Sequence, residues 1–137
     1  HEDCYAVTEA LGLCVFTTTL AYAVTPKVMA DMWSAATGVN VTADEIMEAG
    51  RRIVTVERAF NAREGYDRSG DLLPWRIMNE KLTVGPHKEQ HVNSPEEMNA
   101  MLDNYYELHG WDLKTGNPTR ETLEFLGLAS VADELGL

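Results

Sequence analysis

Thr42-Ala43-Asp44-Glu45-Ile46-Met47-Glu48-Ala49-Gly50-Arg51-Arg52-Ile53-Val54-Thr55-Val56-Glu57-Arg58-Ala59-Phe60 opens on a threonine with a glutamate three residues later, then repeats apolar residues at helical spacing. The threonine hydroxyl can take one orphan backbone N–H of a first turn, and the glutamate can reach back to another, which is a capping box. Ile46, Ala49, Ile53, Val56 and Phe60 recur at steps of three and four, so they share one stripe of a helix, with Arg51, Arg52, Glu57 and Arg58 elsewhere on it. Gly65 supplies the stop.

The same grammar continues on both sides. Thr25-Pro26 places a capping hydroxyl before a proline at the first helical position, and Gly38 offers a left-handed end, which predicts a helix over 27–37. Ser94-Pro95-Glu96-Glu97 is a cap, a proline and an acidic first turn; Met98, Met101, Leu102, Tyr105 and Leu108 then fall on one face until Gly110. A short helix is expected from 118 or 119 to 126 before Gly127, another turn or two over 130–135, and a first helix beginning near Asp3. Residues 66–93 carry Ser69-Gly70, Leu73-Pro74 and Gly85-Pro86 and read as a turn-rich crossing with a short helix near 74–80. Lys81-Leu82-Thr83-Val84 is the one strand candidate, cut short by Gly85-Pro86. The expected fold is all-α: one irregular helical domain over 1–137, with a long crossing segment.

The 137 residues, 45% of them hydrophobic, suffice for one core. With 11 basic and 22 acidic side chains the net charge is −11, which disfavours nucleic acid and anionic lipid surfaces. The longest apolar run, 11–24, is interrupted by three threonines and a tyrosine and is too short to span a bilayer. No basic start, hydrophobic segment and small-residue cleavage site follow one another, so nothing points to export. The first residue is His1, which fits a fragment of a longer protein. Cys4 and Cys14 are too few for a disulfide framework and match no zinc spacing, so a reduced, cytoplasmic setting is the simpler expectation. His1, His87, His91 and His109 show no ligand spacing and are read as loop histidines.

Glu9-Ala10-Leu11-Gly12-Leu13-Cys14-Val15-Phe16 adds chemistry to this frame. Together with Glu57-Arg58-Ala59-Phe60-Asn61-Ala62-Arg63-Glu64-Gly65, Asp71-Leu72-Leu73-Pro74-Trp75-Arg76, Tyr105-Tyr106-Glu107-Leu108-His109-Gly110-Trp111-Asp112, Gly116-Asn117-Pro118-Thr119 and Leu123-Glu124-Phe125-Leu126-Gly127-Leu128, it resembles the C-terminal domain of the tungsten-containing aldehyde:ferredoxin oxidoreductases. The resemblance covers nearly the whole chain and implies a helical domain. It also implies an enzyme that oxidises aldehydes to carboxylic acids on a tungsten bis-pterin and passes electrons through a 4Fe-4S cluster to ferredoxin.

By that resemblance Cys14 is the fourth cluster ligand, the other three coming from a C-x2-C-x3-C arrangement that this chain lacks. Glu9 stands where the family has an aspartate that binds the tungstopterin. A carboxylate suits the task because it accepts two parallel hydrogen bonds from a pterin edge. Here the acid is one methylene longer, and a solvated surface glutamate is the other reading. Leu13 and Val15 are implied to touch the pterin through main-chain atoms. Gly12 either lets the backbone approach a cofactor or merely ends the first helix. Phe16 reads as core packing; Thr17, Thr18 and Thr19 as a helix or turn surface, or as a polar wall near a cofactor.

The remaining blocks read as structure. Glu57, Arg58, Arg63 and Arg76 are expected to pin the 66–93 crossing to the helices, with a substrate-anion site as the alternative. Tyr105, Tyr106 and Trp111 are expected in a core or domain interface. No general acid or base is assigned. The isolated chain, holding one cluster thiolate, is expected to carry no cofactor and to be inactive, its partners being the remaining N-terminal domains of the same enzyme. Ferredoxins are generally acidic, so docking is expected away from this negatively charged domain. Two rival readings stand: a stand-alone helical protein-interaction domain without cofactor, and a family relative reducing aromatic acyl-CoA thioesters.

Overall fold

The structure, a computed structural model, describes residues 1–18, 20–21, 23–90 and 94–137; Thr19 and His91 lie outside the described residues. Among these, seven α-helices run in order: α1 Glu2–Ala10, α2 Pro26–Thr37, α3 Ala43–Arg63, α4 Trp75–Asn79, α5 Pro95–His109, α6 Arg120–Phe125 and α7 Ala129–Leu135. The domain is all-α. The capping residues do what their chemistry predicts. Thr42 accepts from the Glu45 N–H at 3.2 Å while the Glu45 carboxylate accepts from the Thr42 N–H at 2.7 Å. Ser94 and Glu97 repeat that box at 3.2 and 2.8 Å, and Gly38 and Gly110 close α2 and α5 in the left-handed region. Lys81 to Val84 forms no strand; Leu82 instead exchanges two backbone hydrogen bonds with Glu89 and Gln90, closing a turn.

α3 is the spine, with α1, α2 and α7 packed around it. One core joins Val7, Met29, Ala30 and Ile46, and a second joins Val54, Leu102, Tyr106 and Trp111. Burying side chains of the size of Met29 or Leu123 stabilises the fold by about 1.5–3 kcal/mol each. The face of α3 that is buried is rotated from the stripe read in the sequence. Ile46, Gly50, Val54, Thr55, Arg58 and Ala59 are inside, whereas Ala49 is exposed and Val56 and Phe60 keep 40% and 55% of their surface. The cause is the α1 crossing. A Cβ on Gly50 would stand 2.1 Å from the Asp3 carbonyl oxygen and 2.9 Å from Val7 Cγ2, so α1 lies across the smallest residue of α3 rather than its most apolar one.

Arg58 explains the other discrepancy. It is only 8% exposed, and its Nη1 and Nη2 donate to the two Asp71 oxygens at 2.8 and 2.7 Å while Nε donates to the Gly116 carbonyl at 2.8 Å. The Tyr106 hydroxyl also donates to Asp71. Burial first, and then this carboxylate, raise the Tyr106 pKa, keeping it a neutral donor. One planar guanidinium thus ties α3 to the 3-10 turn Arg68–Asp71 and to the turn before α6. Arg68 supports it through Asp103, the Leu113 carbonyl and Asn99. Of the predicted network, Arg58 holds the crossing; Arg63 and Arg76 make exposed pairs with Glu64 and Glu80, worth little.

Candidate functional site

The site begins at the end of α1. The Gly12 N–H donates to the Glu9 carbonyl at 2.9 Å and the Leu13 N–H to the Thr8 carbonyl at 3.0 Å, with Gly12 at φ +70. This pair of bonds is a Schellman stop, so the helix-ending reading of Gly12 describes its backbone. A side chain built there meets nothing within 4 Å, so the glycine also leaves its outer side open.

Cys14 follows in an extended conformation and precedes the 3-10 turn Val15–Thr17. Its carbonyl accepts from the Thr18 hydroxyl at 2.7 Å and from the Thr17 hydroxyl and N–H, both at 3.2 Å. Thr18 is buried, so this clasp anchors the loop from inside and disposes of the polar-wall reading for its hydroxyl. The Cys14 thiol is exposed and free, unlike Cys4, which is half-buried against the first core. The Phe16 N–H, then the Thr17 N–H and the Thr17 hydroxyl, hold the Cys14 pKa below the ordinary thiol value, because each of these bonds favours the thiolate.

The other predicted residues surround this sulfur in sequence. Glu9 is exposed in the last turn of α1, and Leu13 and Val15 are half-buried. The Leu13 N–H is engaged by Thr8, and the Val15 carbonyl by the Leu20 N–H at 2.9 Å and the Thr18 N–H at 3.4 Å. Phe16 corrects its expectation: it is 72% exposed, because the 3-10 turn swings it away from both cores.

The start of α1, the end opposite the ledge at 12–17, is tied to α5. The Tyr105 hydroxyl donates to Glu2, and His109, whose Nδ1 lies 2.9 Å from the Tyr105 carbonyl, places Nε2 3.8 Å from Asp3. Tyr105 is kept protonated, its pKa raised by burial and by the Glu2 carboxylate. Tyr105, Tyr106 and Trp111 therefore work as core aromatics, with Tyr105 and Trp111 edge-on at 5.6 Å. Asp71 carried no assigned role in the sequence. The signal available was its position as an acid within one motif block and Arg58 within another.

Among the described residues no three His, Cys, Asp or Glu side chains gather as a metal site, so the ledge offers one thiolate. That thiolate yields a direct test. Alkylation of Cys14 by iodoacetamide should show a midpoint below the ordinary thiol range. The Thr17→Val variant, which frees the Cys14 carbonyl of the Thr17 hydroxyl, should move it upward only if that hydroxyl can turn to the thiolate; an unchanged midpoint would remove the hydroxyl from the account.

Comparison with known proteins places the chain in a family. The family model described as aldehyde ferredoxin oxidoreductase, domains 2 and 3, matches residues 1–128. The tungsten-containing aldehyde ferredoxin oxidoreductase of Pyrococcus horikoshii is 38% identical over 128 residues, 93% of this chain and 20% of that protein. Those of Pyrococcus furiosus and Thermococcus kodakarensis are 36% identical over 129 residues with the same coverage. The chain therefore spans about one-fifth of the length of the curated relatives it matches. Among solved structures, the active-site complex BamBC of benzoyl-coenzyme A reductase, in complex with 1,5-dienoyl-CoA, superposes with a TM-score of 0.74 at 29% identity, covering 94% of this chain and 18% of that one. Among the described residues no helix is long and apolar enough to cross a membrane.

Proposed function

The chain belongs to the aldehyde ferredoxin oxidoreductase family, and from that membership we propose that it is one part of a tungstopterin enzyme that oxidises aldehydes to carboxylic acids and delivers the electrons through a 4Fe-4S cluster to ferredoxin. The observation that carries this reading is the exposed Cys14 sulfur, on a loop whose backbone the Thr18 hydroxyl clasps at the Cys14 carbonyl. A thiolate is the donor an iron–sulfur cluster requires, and N–H bonds to sulfur are among the features that set its potential. The chain's residues thus fit the group, with three further ligands to come from the larger part of the enzyme.

When bound, the tungstopterin supplies the two-electron oxidation and the cluster relays the electrons singly. The chain holds and orients. Cys14 donates its sulfur; the Thr18 clasp on the Cys14 carbonyl keeps that sulfur at one height above the α1 terminus. Glu9, exposed in the last turn of α1, would accept paired hydrogen bonds from the pterin edge. With the Leu13 N–H and the Val15 carbonyl engaged, the Leu13 carbonyl and the Val15 N–H are the main-chain groups that would be left to hold the pterin.

A second reading has its own support. The likeness to the BamBC complex favours a relative that acts on an aromatic acyl-CoA ring in place of an aldehyde. Both readings use the same ledge and differ in substrate. Purified complete protein should contain tungsten and iron and should reduce ferredoxin in the presence of aldehydes. Oxidation of a dienoyl-CoA without aldehyde turnover would select the second reading, and neither activity in metal-replete protein would refute both.

A further inference from the structure

We infer that Thr18 is a positioning residue for electron transfer: by turning the Cys14 and Val15 carbonyls inward, it directs the N–H groups of the same two peptides, those of Val15 and Phe16, to the side of the Cys14 sulfur. The inference deepens the reading of Cys14 as a cluster ligand and rests on it.

Thr18 is 7% exposed, and burying a hydroxyl is unfavourable unless it is bonded. Valine has nearly the same shape without that need, so packing alone gives no reason for a hydroxyl here. What the hydroxyl meets is the Cys14 carbonyl at 2.7 Å, while the Thr18 N–H donates to the Val15 carbonyl at 3.4 Å and the Thr18 carbonyl accepts from the Ala23 N–H at 3.0 Å. The side chain and both main-chain groups of one buried residue therefore hold this loop. In a planar trans peptide the C=O and the following N–H point in opposite directions. With both carbonyls aimed at Thr18, the Val15 and Phe16 N–H groups are aimed away from it. The Phe16 N–H meets the Cys14 sulfur, and bonds of that kind are among the features that set a cluster's potential. The Thr17 hydroxyl also reaches the Cys14 carbonyl, at 3.2 Å, but Thr17 is exposed and water can take its place. Nothing replaces the buried Thr18 hydroxyl. A methyl group stands off a carbonyl oxygen by about 3.3 Å, so valine at this position would tip the Cys14–Val15 peptide outward by roughly half an ångström.

The test uses the complete protein with Thr18→Val, with Thr18→Ser as the conservative rescue and with Thr18→Ala, which removes the hydroxyl without the methyl contact should valine disturb folding. Iron content is measured first, then the midpoint of the 4Fe-4S cluster by redox titration followed by electron paramagnetic resonance. All three variants keep Cys14 and should keep iron. Weaker N–H bonds to sulfur disfavour the more negative, reduced cluster. In the valine and alanine variants the ratio of reduced to oxidised cluster at the parent's midpoint should therefore fall about threefold or more, the size of one such bond. Serine should restore the parent's potential. Iron-replete valine and alanine proteins with the parent's midpoint would overturn this inference and leave the cluster reading standing, as would a serine variant shifted as far as valine. Iron-free parent protein, after anaerobic reconstitution, would remove the cluster reading and this inference with it.

Discussion

Replacing Arg58 by methionine is expected to cost the domain about 3–5 kcal/mol. The change removes two bonds to Asp71 and one to the Gly116 carbonyl. It leaves a largely buried carboxylate with Tyr106 as its remaining side-chain partner. The unpaired acid dominates the cost, because taking a charge out of water without its counter-ion is penalised more than the pair itself was worth. For a chain of this size the loss should lower the melting temperature by roughly 10–20 °C. The double change Arg58→Met with Asp71→Leu should recover much of it by removing the stranded charge. Urea unfolding of the three variants checks both steps; a single variant within about 1 kcal/mol of the parent would show that the crossing is held elsewhere.

The second large effect is functional rather than structural. In the complete protein, Cys14→Ala should abolish most of the 4Fe-4S signal and the ferredoxin-linked turnover, while in the isolated chain the same change should alter unfolding stability by no more than about 0.5 kcal/mol, since the side chain is exposed there and fills no core. Cys4→Ala is the informative contrast. It opens space beside Val7, Met29 and Ile46 and should cost stability while leaving iron in place. Cys14→Ala protein with full iron content and an intact redox signal would end the assignment of that residue, whatever the family.

Much of the helical frame was legible because it is written in local chemistry. Thr42 with Glu45, Ser94 with Glu97, and Thr25 before Pro26 each satisfy orphan N–H groups within one turn, and their glycines end helices through φ values that other residues resist. The roles proposed for Glu9, Leu13, Cys14 and Val15 rest on likeness to a family and not on spacing. The orientation of α3 was not legible. Hydrophobic periodicity reports which face is apolar, and here the face that α1 covers is centred on Gly50, with Thr55 and Arg58 also inside. Phe16 misled in the same way, being apolar yet turned outward.

By itself, then, the amino-acid order determined where helices start and stop, because capping and glycine stops act over four or five residues. Tertiary structure decided which side of α3 is inside, that Asp71 is the partner of Arg58, and that Cys14 meets solvent while Cys4 meets the core. Those outcomes depend on close approach and charge compensation between residues far apart in the chain, as between Asp3 and Gly50 or Arg58 and Gly116, and no local pattern encodes such distances.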